Sequence, residues 1–338
     1  MLRVVVTILV LISHCMYYRI VTAYGGIDYS GLFSKKTTVF IILEQIKEMI
    51  YSFHMPLYMA LSGALFRVTI SKRKICFTKL IKNKTTRLLI PFLLVSIFYS
   101  FPLKYISGYW RGTESVIKDF FVGQILLQGN TYLWFLPALF ILFLLFYVII
   151  KANMLSSIVL VEGVFLNFIC DNITILILKD VCMYFIWFYT GYLFENYRNR
   201  IKDKYIVVGG LSAMICFLLS FIMKKHCDVK IVNYIIGLLL TVCGMFTTYA
   251  ISFILAKYTC FSKSKLYNTV LENSFGLYLY SDPVNYVVIF ILTAITGEFA
   301  LSTNLGVALL FTLRLFLSFG FSLTISKVLK KHRVKYLA

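Results

Sequence analysis

Ten apolar runs, joined by segments too short to fold by themselves, dominate what this chain can become. They cover roughly residues 2–20, 49–67, 88–106, 131–150, 154–170, 175–194, 205–223, 231–256, 270–292 and 305–327. A helix crossing ~30 Å of hydrocarbon needs ~17–25 such residues. The longest intervening segments are 67–87 and 21–48. The expected fold class is therefore all-α: a polytopic transmembrane helix bundle of about ten helices, forming a single domain over 1–338. No solenoid-type repeat or low-complexity tract breaks that pattern. The segment 39–49, with Glu44, Lys47 and Glu48, is amphipathic and suits the membrane interface before the second run.

Composition agrees. Charged residues make up 14% of the chain, against about 25% in soluble domains. The formal net charge of +20 would suggest nucleic acid on a soluble protein, but here the hydropathy argues against such a partner. With the N-terminus inside, 22 Lys and Arg fall on the inner side and 11 outside, and Arg314 lies within the last run. That bias places both termini in the cytoplasm. Arg3 followed by VVVTILVLIS resembles a signal peptide, but no small-residue cleavage site follows, so an uncleaved first helix is expected. Of the eight cysteines, five lie in apolar runs. No CxxC pair occurs, and no metal site is expected.

Ionisable groups inside apolar runs are costly and point to function. Arg3 and His14 are eleven residues apart, which on a helix puts them within ~20° of one face and ~16 Å along the axis. His54 enters the second run near its outer end, so the two imidazoles should lie level on adjacent antiparallel helices. Pro56 should loosen the helix beside His54. Asp282 falls near the middle of its run, beside Pro283; Arg314 or Glu162 could satisfy it structurally, a substrate or histidine-orienting role is equally open, and Glu162 and Arg314 could instead pair with each other. Trp134 and Trp110 suit an aromatic belt, with sugar stacking the sharper reading for Trp134. His226 and His332 are expected to face solvent.

Several motifs then fall in a telling order. Arg3, ten residues, His14 is followed by Phe53-His54-Met55-Pro56-Leu57 and Leu61-Ser62-Gly63. Lys84-Thr85-Thr86-Arg87 precedes Leu88-Leu89-Ile90-Pro91. Leu133-Trp134-Phe135-Leu136-Pro137 and Asn273-Ser274-Phe275-Gly276-Leu277-Tyr278-Leu279 come later. The series resembles the integral-membrane acyltransferase type three family. The resemblance implies transfer of an acyl group, commonly acetyl from acetyl-CoA, to a hydroxyl of a glycan or other cell-envelope molecule. It implies a catalytic His14 and a required Arg3. Members often carry a histidine before x-Pro in the late helix; here Tyr280-Ser281-Asp282-Pro283 puts Ser281 in that place.

Elementary chemistry asks for the same parts. A base must take the hydroxyl proton, a dipole must meet the oxyanion, and cations must hold donor phosphates. The candidate catalytic residues are His14 and His54. Arg3, Arg67, Lys84 and Arg87 are candidates for the acyl-CoA head group, and Trp134, Ser281 and Asp282 for the acceptor. No permanently bound cofactor is expected; acetyl-CoA or another acyl-CoA is the donor. Membrane lipids and a glycan or lipid-linked sugar are the other expected partners, in a bacterial inner or plasma membrane. The competing class is a polytopic carrier or flippase for lipid-linked glycans, which would more often show internal repeats. A glycan polymerase would be expected to carry a long outer loop.

Overall fold

A computed structural model describes the whole chain except residues 31–35, 74, 130, 155–156, 298 and 333–338. Lys35, Lys74, Arg333 and Lys335 of the charge count lie outside the described residues. The fold is an all-α bundle, 83% helical. Its helices are α1 Leu2–His14, α2 Thr38–Tyr51 and α3 His54–Lys72, then α4 Phe77–Ile106, which contains two π-turns. They continue with α5 Phe135–Lys151, α6 Ser157–Ile169 and α7 Leu176–Tyr197. The last four are α8 Asp203–Lys225, α9 Lys230–Tyr258, α10 Lys265–Thr296 and α11 Asn304–Lys331. A two-stranded antiparallel hairpin, β1 Arg19–Thr22 and β2 Gly25–Asp28, follows α1.

Six helices are long and apolar enough to cross a membrane by length and composition: α4, the Tyr132–Lys151 segment containing α5, and α8 to α11. The expected ten apolar runs all contain helices, but four differ in kind. α1 and α6 have 13 residues each. α3 is diluted by Ser62, Arg67, Thr69, Ser71 and Lys72, and α7 by Lys179, Asp180 and Glu195. The first run also stops being helical at His14 rather than near residue 20, and the chain turns into the hairpin.

The expected weakness at Pro56 is displaced. The chain breaks at Ser52–Phe53, where Phe53 adopts φ −140°, and His54 begins α3. Pro56 then falls in the first turn, where its missing N–H has no intrahelical role. Gly63 and Gly191 let α3 and α7 cross at backbone distance: a Cβ on either would strike a carbonyl of the other helix. In α10, Pro283 sits in the helix interior and leaves the carbonyl of Leu279 without its helical donor. The Tyr132 hydroxyl donates to that oxygen at 2.7 Å, and the Tyr99 hydroxyl donates to Tyr280 O at 2.9 Å. The freed carbonyl thus fastens the residues preceding α5 to α10 beside Asp282, and Tyr99 fastens α4 one residue further on.

The bundle has two unlike ends. At one, α1 finishes under the hairpin, with Lys225 paired to Glu48 and Lys179 to Asp171. At the other lie Arg3, Arg67, Lys84 and Arg87; there Lys257 pairs with Asp203 and the Met1 amine donates to Tyr267. These contacts join residues that the charge count assigns to the same side.

Candidate active site

Six chain segments meet at the hairpin end around a cavity of about 450 Å³. Its lining includes His14, His54, Trp134 and Asp282, so four expected site residues share one chamber. His14 is the last residue of α1, His54 the first of α3, and Asp282 sits on α10 one residue before its proline. Helix termini project these imidazoles because the backbone stops there and leaves room for a ligand.

His14 Nδ1 stands 3.0 Å from Asp282 Oδ1. The approach is oblique rather than in line, a looseness common in unliganded catalytic sites. The Tyr17 hydroxyl donates to the same oxygen at 2.7 Å, while Asp282 Oδ2 has no hydrogen bond among the described residues. A carboxylate oxygen only accepts, so a hydrogen bond closing between the two would put the imidazole proton on Nδ1 and leave Nε2 with its lone pair. Behind the pair lies Arg314, fully buried. Its guanidinium donates to Tyr17 O at 2.7 Å and to His14 O at 3.3 Å, and lies 5.0 Å from the Tyr17 ring centroid. It caps a helix end whose carbonyls have lost their partners. Lys104, also buried, donates to Gln124 Oε1 at 3.0 Å and lies over the rings of Tyr109 and Tyr286.

His54 has a different neighbour. Its Nδ1 donates to Ile50 O at 2.8 Å, and the Tyr51 ring meets it edge-on at 4.9 Å. Its Nε2 is therefore also the free nitrogen, but no carboxylate pairs with the ring among the described residues. In that tautomer His54 accepts a hydrogen bond and offers none to an oxyanion.

Trp134 stacks on Tyr184 at 4.9 Å and 29°, forming a flat aromatic wall beside Asp180. Ser281 is fully buried, its hydroxyl has no hydrogen-bond partner among the described residues, and it does not line the chamber. Arg314 does not pair with Glu162, which is exposed; its partners are backbone carbonyls. Asp282 likewise pairs with His14, not with Arg314 or Glu162.

The four cations lie outside the chamber. Arg3 and Arg87 are exposed. Arg67 donates to the Tyr192 hydroxyl at 3.0 Å and to Asn196 Oδ1 at 2.9 Å, and the Lys84 ammonium lies 3.2 Å from the Phe143 ring centroid.

Sequence reasoning missed Asp180, Lys47 and six lining tyrosines: Tyr17, Tyr51, Tyr132, Tyr184, Tyr278 and Tyr286. Two were findable, since Tyr278 and Tyr286 stand four residues either side of Asp282 and share its helix face. Tyr17, Tyr132 and Tyr278 commit their hydroxyls to Asp282 Oδ1, Leu279 O and Tyr132 O. Those of Tyr51 and Tyr184 make no hydrogen bond among the described residues.

The family model described as an acyltransferase domain matches residues 1–327. The chain belongs to the type three acyltransferase family. No curated protein and no solved structure matches it. Family and apolar helices together make it a membrane acyltransferase.

Proposed function

We propose that this acyltransferase moves an acetyl or other short acyl group from acyl-CoA to a hydroxyl of a cell-envelope glycan or lipid-linked sugar. The observation that carries the reading is the His14–Asp282 pair at the end of α1, open to a chamber walled by tyrosines and a tryptophan. His14 Nε2 takes the acceptor's hydroxyl proton while the oxygen attacks the thioester carbon. Asp282 holds the imidazole by Nδ1 and balances the imidazolium that forms, the role a carboxylate plays in a Ser-His-Asp arrangement. The tetrahedral oxyanion needs a donor, and the free hydroxyls of Tyr51 and Tyr184 are the available ones. The C–S bond then breaks, and His14 returns its proton to the departing thiolate. His54 Nε2 accepts from the acceptor hydroxyl and aims it. Trp134 and Tyr184 supply a face for a sugar ring.

The donor's nucleotide is assigned to the basic end, taken as cytoplasmic, with both chain termini on that side. Arg3 and Arg87 are free to meet phosphates, whereas Arg67 and Lys84 must first leave Tyr192 and Phe143. The pantetheine arm then rises between α1 and α3. The Thr7 and Tyr58 hydroxyls, 3.4 Å apart, close that seam and must part. The deciding experiment measures acyl-CoA binding, CoA release and label transfer to isolated envelope glycan, using purified protein and a folded His14→Ala variant. Normal turnover by the variant would reduce His14 to a packing residue.

A further inference from the structure

A chamber of about 450 Å³ sits low in the ~300–1,000 Å³ range of sites that bury a small ligand. It accommodates one acceptor unit and the acyl end of a donor, and leaves the rest of a longer acceptor outside. A second, open cavity of about 1130 Å³ lies next to it at the same end of the bundle. The same two elements line both. β1 gives Arg19 and Ile20 to the chamber and Val21 and Thr22 to the groove; α10 gives Asp282 and Tyr286 to the chamber, then Phe290 and Thr293 to the groove. Tyr286 and Phe290 are one turn apart, ~6 Å along the axis. The hairpin is the wall between the cavities.

We infer that this groove is a second acceptor subsite, which holds the units of a neutral glycan chain next to the one being acylated. The inference rests on the sugar acceptor proposed above. Charges of both signs line the groove, Asp28, Glu114 and Asp119 with Arg111 and Lys118. Such a lining offers acceptors and donors to many hydroxyls and gives no one-sign field for a polyanion. Arg111 lies 5.0 Å from the Phe290 ring centroid, which presents a planar, partly apolar surface. The Asp28 carboxyl is held below its ordinary value, by hydrogen bonds from Ser30 first and the Arg19 charge last, so it stays an acceptor in mildly acidic surroundings. The walls are fixed in advance. Gly26 N donates to Tyr109 O at 2.8 Å, and Trp110 Nε1 donates to Tyr24 O at 3.1 Å. Gly25 takes φ +109° where Tyr109 and Trp110 leave no room for a Cβ. Rigid walls lower the ordering cost of binding a long, flexible ligand.

The test uses envelope glycan from cells lacking the protein, cleaved into short and long fractions, with labelled acetyl-CoA and the full-length enzyme. The long fraction should show a KM about tenfold below that of the short one, the scale of one charge-assisted hydrogen bond. Arg111→Ala combined with Glu114→Ala should erase that advantage at unchanged kcat and leave the short fraction unaffected. Equal KM values for both fractions in the native enzyme, an equal loss on both in the variant, or no loss on either would overturn the subsite. So would preferential use of an anionic fraction, since the groove would then follow charge. Failure of the native enzyme to acylate any glycan fraction would instead remove the acceptor reading beneath it.

Discussion

The two ends of the bundle handle charge in opposite ways. Beside the chamber at the hairpin end, Asp282, Arg314 and Lys104 are buried and His14 is half-buried, and each has a specific neighbour: His14 with Asp282, Arg314 with two backbone carbonyls, Lys104 with Gln124 and two aromatic rings. At the basic end Arg3 and Arg87 are exposed, and Arg67 and Lys84 rest on side chains of neighbouring helices. Buried, hydrogen-bonded charge fixes geometry, since an orphaned partner costs several kcal/mol. Exposed charge leaves geometry loose and acts through field and transient contact. Chemistry needs the first kind of environment and capture of a soluble nucleotide the second. Substitutions of the His14–Asp282 pair and of its buried support should therefore lower kcat, and those at the basic end should raise the KM for acyl-CoA.

The largest effect should come from the base. His14→Ala should lower kcat by a factor of about 10²–10⁴, the usual contribution of general base catalysis. Donor binding, measured by calorimetry or tryptophan fluorescence, should hold within about twofold. Loss of donor binding together with turnover would erase the distinction between the ends. His54→Gln, which keeps an acceptor near the hydroxyl, should be milder than His54→Ala; equal losses would deny His54 its aiming role.

Asp282→Asn comes next. The amide keeps the shape and a contact to Tyr17 but cannot balance an imidazolium, and it can favour the wrong His14 tautomer. A fall in kcat of about a hundredfold or more is expected, with acyl-CoA KM unchanged. Arg314→Lys tests the support behind the pair. An ammonium cannot span His14 O and Tyr17 O with a planar fork, so kcat should drop about tenfold, the equivalent of ~1.4 kcal/mol. A pure stability effect would lower Tm and leave the kcat of the folded fraction intact.

The path from sequence to site explains which parts of this arrangement were legible. Apolar runs announced the helices, because a helix in lipid must be apolar along most of its length. That His14 and His54 line one chamber was legible because chain reversal puts the ends of successive helices at one level. A histidine-orienting role for Asp282 was one of the open readings, but which histidine it meets was not legible, since His14 and Asp282 come from opposite ends of the chain and nothing local encodes which helices touch. The end of α1 at His14 was hidden for a similar reason. Val10 to Tyr18 is mostly apolar and reads as a continuing helix, and the group that replaces the next helical turn is Arg314, 300 residues later. The break at Ser52–Phe53 also eluded a reading that looked to Pro56, although a proline in a first turn marks a start as readily as a kink.

At the basic end, effects should be smaller and of another kind. Arg87→Ala should raise the acyl-CoA KM about tenfold or more, from ~1.5–3 kcal/mol per charge-assisted contact, with kcat nearly unchanged. Lys84→Ala should act less, because its ammonium must leave the Phe143 ring to reach a phosphate. A fall in kcat for Arg87→Ala at constant KM would give the basic end a part in the chemistry and break the contrast.

The smallest effect is a difference in labelling rate, and it tests which end faces the cytoplasm. Cys76 is exposed ahead of α4, and the backbone N–H groups of Thr78 and then Lys79 hold its thiol below the ordinary value. A lowered thiol pKa means more thiolate at neutral pH and faster reaction with a maleimide. Cys260 is exposed at the same end, and Cys227 lies at the hairpin end after α8. In intact cells an impermeant maleimide should reach Cys227 alone. After permeabilisation Cys260 should label too, and Cys76 should react faster at neutral pH than a free-cysteine peptide. Labelling of Cys76 in intact cells would turn the bundle over: the basic end would face outward, away from the cytoplasmic pool of acyl-CoA, and Arg3 and Arg87 would lose their assignment to its phosphates.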